Sequence, residues 1–260
     1  MRLSLEKIKE YLSSDGLPIP DTVWYDSIDS TNTRAREWMD KPAPGGCTVF
    51  IAASQTAGRG RRERSFLSND GGIYVSFLFV PREGEQVLPE TITPRAAVSL
   101  LSPIEEECGV YPVIKWVNDI YVKDKKIAGI LTEGEFDENG NITSYVVGMG
   151  INVYKNAELT SNVPIASTLE DASENEIDIN RLAAKIIRAV MLDKDHRKTL
   201  SEYRERSFVI GRKVKVITMT GNYDAIALSV GDDYSLTVKS LENGEIRSIS
   251  TGEVSLSVME

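Results

Sequence analysis

Residues 55–64 read Gln-Thr-Ala-Gly-Arg-Gly-Arg-Arg-Glu-Arg, which places Arg59, Arg61, Arg62 and Arg64 within a few positions of one another in a 260-residue chain of formal net charge −9. A segment this basic repels itself and should not hold one conformation unless something anionic sits inside it. Gly58 and Gly60 permit close approaches that residues with a Cβ resist. Planar guanidinium forks on such a backbone suit a loop that closes over phosphate or carboxylate oxygens. A solvated charge run or a nucleic-acid patch is the equally ordinary reading of this segment taken alone.

The surroundings of the loop give it a place in a fold. The apolar run Thr48–Ser54 reads as a buried strand that delivers the chain into the loop, and Ile73–Val80, closed by Pro81, reads as the strand that leaves it. Upstream, residues 3–12 carry Leu5, Ile8 and Leu12 at helical spacing, Val23-Trp24-Tyr25 reads as a strand, and a helix is expected over about Asn32–Met39 with Ser30 or Thr31 as its N-cap. Downstream, Thr93-Pro94 reads as a helix start. That helix should run to Cys108 and stop at Gly109, with Pro103 predicting a kink or break. Val113–Val117, Ile120–Val122 and Ile127–Glu133 follow as strands, the last two joined by a Lys123–Lys126 turn. Asn139-Gly140 is a hairpin signal before the strand Ile142–Val153. Asn180 to about Ser207 is the longest helix candidate. From Val209 the texture changes to short alternating strands punctuated by Gly221-Asn222, Gly231-Asp232 and Asn243-Gly244, as in a small SH3-like β-barrel. The expected organisation is therefore α+β: a mixed-sheet domain over residues 1–208, of which 1–20 form a short N-terminal helical extension, and a small barrel over 209–260.

Composition narrows the function. An acidic balance argues against nucleic acid as the main partner, because phosphate neutralisation needs a basic face. The start Met1-Arg2-Leu3-Ser4-Leu5-Glu6-Lys7 has charges where a signal peptide needs an apolar core, and no window reaches bilayer-spanning length, so the expected compartment is the cytoplasm and no membrane partner is expected. Cys47 and Cys108 lack Cys-x-x-Cys spacing and are expected reduced and buried. His196 is the single histidine and lies in the polar run 193–199, which argues against a Ser-His-Asp triad or a histidine-built metal site.

Besides the arginine loop, three segments carry chemistry. Ser30-Thr31-Asn32 stands at a strand-to-helix junction, where hydroxyls, an amide and free N–H groups converge, although such a triplet often does no more than cap a helix. Lys115-Trp116-Val117-Asn118-Asp119 lies between strands whose ends aim side chains into a cleft, and its Asn-Asp pair offers oxygen ligands for Mg²⁺; a hairpin with exposed polar residues is the alternative. Gly148-Met149-Gly150-Ile151-Asn152 lets backbone lie against a flat ligand or, equally, marks a strand with a bulge.

Taken together these residues resemble the biotin protein ligases, the biotin–[acetyl-CoA-carboxylase] ligase family. Its markers are Ser-Thr-Asn, Gly-Arg-Gly-Arg-Arg-Gly-Arg, Lys-Trp-Pro-Asn-Asp, Lys-x-Ala-Gly-Ile-Leu, Gly-x-Gly-Ile-Asn and a C-terminal Gly-Glu-Val/Ile-Ser-Leu. They occur here in that order at Ser30, Gly58, Lys115, Lys126, Gly148 and Gly252, and the likeness runs over roughly residues 22–258. Family members that also repress transcription carry an N-terminal winged helix; the short lead here resembles the type without a DNA-binding domain.

The resemblance implies a mixed-sheet catalytic domain of the biotin/lipoate ligase type and a two-step reaction. Biotin attacks the α-phosphate of ATP, with Mg²⁺, to give biotinyl-5′-AMP; a lysine of a biotin carboxyl carrier domain then takes the biotinyl group and AMP leaves. It implies that Ser30, Thr31, Asn32, Gln55, Gly58, Arg59, Gly60, Arg61, Lys126 and Gly129 hold biotin. Arg61, Arg62, Arg64, Phe66, Lys115, Asn118 and Asn152 would hold ATP. Arg61, Lys126 and Asp119 would be catalytic, Asp119 as metal ligand, as base, or as both. It also implies that residues 58–68 order over the adenylate and are mobile before ligand arrives. A monomer and a homodimer both fit. Glu63 stands where the family has glycine, Phe66 where tryptophan is usual and Val117 where proline is usual, and Ser257 replaces an arginine found in some relatives. A lipoate-type ligase is the nearest rival within enzymes, and a weakened biotin sensor or a biotin-responsive regulator the rival outside them.

Overall fold

The computed structural model describes residues 2–14, 19–39, 41, 46–156, 159, 163, 165–192, 195–218, 221–250 and 252–256. The strands of the first sheet are β1 (Asp21–Tyr25), β2 (Cys47–Ala52), β3 (Gly72–Phe79), β4 (Val113–Lys115), β5 (Asp119–Val122), β6 (Lys125–Phe136) and β7 (Ile142–Asn152). They pair in the order β1-β2-β3-β7-β6-β5-β4, with β1 and β2 parallel and every other pair antiparallel. Its helices are α1 (Leu5–Ser14), α2 (Thr31–Arg36), α3 (Pro89–Cys108), α4 (Leu169–Ala172), α5 (Ile179–Met191) and α6 (His196–Glu205).

The pleat divides this sheet into two faces, since successive side chains alternate. Val49 and Ile51, Val75 and Phe77, Ala128 and Ile130, and Val147, Met149 and Ile151 pack on one side with Leu100, Leu101 and Ile104 of α3 and Leu182 and Ile186 of α5. The opposite face has a small apolar cluster, Phe50, Leu78 and Val146 under Ala35 of α2 and Met39. That second face is otherwise open to the loops, and it carries the site.

A second, antiparallel sheet of β8 (Lys213–Ile217), β9 (Asn222–Val230), β10 (Leu236–Ser240), β11 (Ile246–Ile249) and β12 (Glu253–Leu256) pairs in the order β11-β10-β9-β8-β12. It is the small C-terminal β module expected beside a mixed-sheet catalytic domain. Val214, Val216, Ala225, Leu236 and Val238 bury into the same apolar cluster as the first sheet. The Trp116 indole N–H donates to Tyr234 O at 2.9 Å, and the Tyr203 hydroxyl to Val117 O at 3.2 Å, tying the Lys-Trp-x-Asn-Asp segment to this junction.

Three helices differ from expectation. The helix α2 is shorter, ending at Arg36, and Ser30 sits at its N-cap position without a side-chain capping bond. The helix α3 starts earlier, with Pro89 in its first turn, and continues through both Pro94 and Pro103 to Gly109. Burial of Leu100, Leu101 and Ile104 offsets the N–H groups the prolines lack. The single helix expected over 180–207 is two, because Asp195 restarts the chain by accepting from the N–H groups of Arg197 and Lys198. Among the described residues no helix is long and apolar enough to cross a membrane.

Candidate functional site

The register of β6 against β7 sets Gly129 opposite Gly150 and Leu131 opposite Gly148, all on the open face. Missing side chains there make a hollow that loop residues enter. A Cβ on Gly148 would collide with the Asn32 amide, and one on Gly150 would lie 2.5 Å from Cε1 of Phe66. The two glycines are thus explained by close approach of side chains.

Over this floor lies a narrow cleft that brings together Ser30, Thr31, Asn32, Gln55, Arg59, Gly60, Arg61, Phe66, Asn118, Lys126 and Gly129. The six remaining expected residues, Gly58, Arg62, Arg64, Lys115, Asp119 and Asn152, do not line it. Gly58 lies beneath the loop, its carbonyl accepting Phe66 N–H at 2.8 Å, and the Arg64 carbonyl accepts Gly60 N–H at 2.7 Å. Arg62 points away to the second sheet. Lys115 is buried behind Asp119, and the Asn152 amide donates to Ser167 O at 3.3 Å beside a smaller cleft lined by Asn69, Asp70 and Tyr74.

The arginine loop differs from the unpartnered segment its composition suggests. It forms a narrow hairpin, with Arg59 bridged to Ser65 and a short 3₁₀ turn at Arg61–Glu63. Its guanidinium groups find protein oxygens. Arg59 pairs with the Glu133 carboxylate at 3.1 and 3.2 Å, Arg61 donates to Asn118 Oδ1 at 3.2 Å and Gly252 O at 3.0 Å, and Arg62 donates to Ile217 O at 3.1 Å. Carbonyls at the edge of the second sheet therefore do what the sequence assigned to ligand alone. The Glu63 side chain and Ser257 lie outside the described structure. The Trp116–Val117 peptide, where Val117 takes the proline position, is cis.

Under the cleft runs a hydrogen-bonded chain of polar groups. Thr31 N–H and hydroxyl reach Gln55 Oε1 at 2.8 and 3.1 Å, and Gln55 Nε2 donates to Ser68 Oγ at 2.8 Å. Ser76 Oγ lies 2.7 Å from Thr31 Oγ1 and 2.6 Å from Asn32 Oδ1, and the Asn32 amide donates to Glu133 at 3.0 Å. Ser76 and Glu133 escaped the sequence reading. The available signal was period two: Ser76 falls on the same face of β3 as Tyr74 and Leu78, a small polar side chain between two large ones.

Lys126 Nζ sits 2.6 Å from Asp119 Oδ1, and Lys115 Nζ is 3.9 Å from Asp119 Oδ2. The first contact is an ion pair by distance, while Oδ1 has no hydrogen bond of acceptable geometry among the described residues. Asp119, expected as a Mg²⁺ partner, is here the counter-ion of two ammonium groups. Among the described residues no three His, Cys, Asp or Glu side chains converge. Cys47 and Cys108 are buried and unpaired, and burial pushes both thiols up to about 12.

The biotin/lipoate A/B protein ligase family profile matches residues 24–152. The bifunctional ligase/repressor BirA of Bacillus spizizenii is 32% identical over 247 residues, covering 90% of this chain and 73% of that protein. The biotin–[acetyl-CoA-carboxylase] ligase of Mycobacterium tuberculosis is 27% identical, covering 78% of each. In three dimensions the Aquifex aeolicus biotin protein ligase solved with biotin and ATP superposes with a TM-score of 0.75 at 26% identity, over 92% of this chain and 99% of that one. Sequence markers, two-sheet architecture and relatives agree: the chain belongs to the biotin protein ligase family of enzymes.

Proposed function

We propose that this chain condenses biotin with ATP to biotinyl-5′-AMP and pyrophosphate, then transfers the biotinyl group to one lysine of a biotin carboxyl carrier domain. The observation that carries this reading is a single cleft holding the Thr31-Asn32-Gln55 polar floor together with Arg59, Arg61 and Lys126. A neutral, hydrogen-bonding head group fits the floor, and its carboxylate tail then meets the cations.

Two anions must approach for the first step, so Arg61 and Lys126 cancel repulsion and stabilise charge developing on the phosphoryl oxygens. Arg62 and Arg64 are assigned to the ATP phosphates, once the Ile217 contact of Arg62 is exchanged, and Lys115, Asn118 and Asn152 to the nucleotide side. Phe66, whose ring lies against Gly150 and Gly129, offers a face for adenine. Mg²⁺ enters with the ATP phosphates as part of the substrate. In the second step the incoming lysine attacks the mixed anhydride beside Lys126, and Asp119 receives its proton. Residues 1–208 are assigned this chemistry and 209–260 the module that braces the loop. Two buried thiols fit a reducing cytoplasm.

The test is incubation of the purified protein with biotin, Mg-ATP and a carrier domain, read by intact mass. One biotinyl increment, lost in folded Arg61→Ala and Lys126→Ala, supports the reading. No increment with biotin, or one with lipoate instead, overturns it.

A further inference from the structure

The hydrogen-bonded chain beneath the cleft has a direction, because its ends only accept. At one end Phe66 O takes the Ser68 hydroxyl at 2.9 Å. At the other, Leu131 O and Glu133 Oε2 take the Asn32 amide at 3.3 and 3.0 Å, which commits both of its N–H groups. With its proton on Phe66 O, Ser68 can only accept, so Gln55 must present Nε2 to it and Oε1 to Thr31. The Thr31 hydroxyl proton then goes to Gln55. Ser76 remains, fully buried, with one proton between two acceptors, Thr31 Oγ1 and Asn32 Oδ1.

One proton cannot satisfy both oxygens, and Thr31 and Asn32 line the cleft. We propose that Ser76 and Glu133, which lie outside the cleft lining, are positioning residues for its floor: Glu133 fixes which way the Asn32 amide faces, and Ser76, the one donor between them, holds the Thr31 and Asn32 oxygens together. The floor then presents acceptor oxygens and selects a head group bearing N–H donors over an apolar ring of similar size. This rests on the biotin ligase reading, and it explains selection within a family profile that joins biotin and lipoate: a ureido group has two N–H donors, a dithiolane none.

Each partner is needed for a separate reason. In Ser76→Ala no proton donor separates the Thr31 and Asn32 oxygens. In Glu133→Gln, Arg59 takes the new amide oxygen, which leaves N–H facing N–H at Asn32 and favours rotation of that amide. Either change spoils the floor for a ureido while leaving Lys126, Arg61 and the nucleotide side in place.

The experiment is steady-state pyrophosphate release by the full chain, with biotin or lipoate varied, ATP saturating and hydroxylamine present to take the acyl group from the adenylate and free the enzyme for the next turnover, on wild type, Ser76→Ala and Glu133→Gln, with thermal melting as the folding check. The expected result is a KM for biotin raised roughly tenfold, the equivalent of one buried hydrogen bond. The values of kcat and of KM for ATP stay within about twofold, and preference for biotin over lipoate narrows. A biotin KM that does not move, or a fall in kcat at fixed KM, in variants that melt like wild type overturns the inference. Should Ser76→Ala fail to fold, Glu133→Gln decides alone. Wild type that releases no pyrophosphate with biotin instead sinks the ligase reading itself.

Discussion

Lys126 Nζ and Asp119 Oδ1 lie 2.6 Å apart at the edge of the cleft, their side chains 26% and 16% exposed. Asp119 and Gly129 are paired across β5 and β6, so the carboxylate is held by sheet register and in turn holds a lysine at the end of a flexible stem. If Lys126 stabilises charge in adenylation, Lys126→Ala should slow the step by roughly two orders of magnitude. Asp119→Asn should slow it less, because Lys126 keeps its charge and loses only its placement. Single-turnover adenylate formation measures both. Equal losses in the two variants would deny the ordering of roles.

The loop contacts to the second sheet give a second expectation. Arg62 donates to Ile217 O and Arg61 to Gly252 O, so the loop is pinned to the ends of β8 and β12. Replacing Arg62 by Ala removes one pin while leaving Arg61 in the cleft. Amide hydrogen exchange over residues 58–66 should quicken several-fold in the ligand-free protein. Biotin with ATP should restore protection in both proteins. Unchanged exchange in the variant would mean that the hairpin holds itself.

Much of this was legible in the sequence because the informative signals are local. Apolar runs located β2, β3 and β7 to within a residue or two, and the Asn139-Gly140 turn joined β6 to β7. The four motifs converged on one cleft as expected of strand ends. What stayed hidden depends on partners distant in sequence. Glu133 meets Arg59 and Asn32 only through the register of β6 beside β7, and Ser76 meets Thr31 and Asn32 only across β3. The partners of Arg61 and Arg62 are backbone carbonyls, which no side-chain pattern announces. The break between α5 and α6 was local, at Asp195, but the polar run around it reads as a solvated helix face.

The two thiols supply a third expectation. Both are buried, and burial pushes their pKa up to about 12, so at pH 8 each stays protonated and unreactive. An aromatic disulfide reagent should label neither Cys47 nor Cys108 in the folded protein and both after guanidinium unfolding. Because the folded values lie above the ordinary thiol range, their contribution to stability is complete below about pH 8.5 and declines as pH rises beyond it. Labelling of the native chain within minutes would contradict the packing of β2 and the end of α3.

The last expectation concerns Glu107, whose side chain is 1% exposed at the end of α3. Burial alone would raise its carboxyl pKa. The Arg181 guanidinium, bonded at 2.7 Å through both Nε and Nη2, the Asp178 N–H at 3.1 Å and nearby Lys185 outweigh that and hold it below the ordinary carboxylate range. The same junction takes the Tyr11 hydroxyl of α1 on Asp178, so one carboxylate helps fasten α1, α3 and α5 together. Glu107→Ala should cost about 3 kcal/mol, the low end for breaking a buried pair, because Arg181 is half exposed and can hydrate once released. The pH dependence has a definite sign. A carboxyl with a depressed folded pKa binds its proton more readily when unfolded, so its stabilisation is complete above the unfolded value near 4.3 and is lost as pH falls through the folded value. Melting temperatures of wild type and Glu107→Gln should therefore differ by a constant amount from pH 7 to pH 5 and converge below about pH 4. A gap that persists undiminished to pH 3 would show that Glu107 contributes through packing and not through its charge.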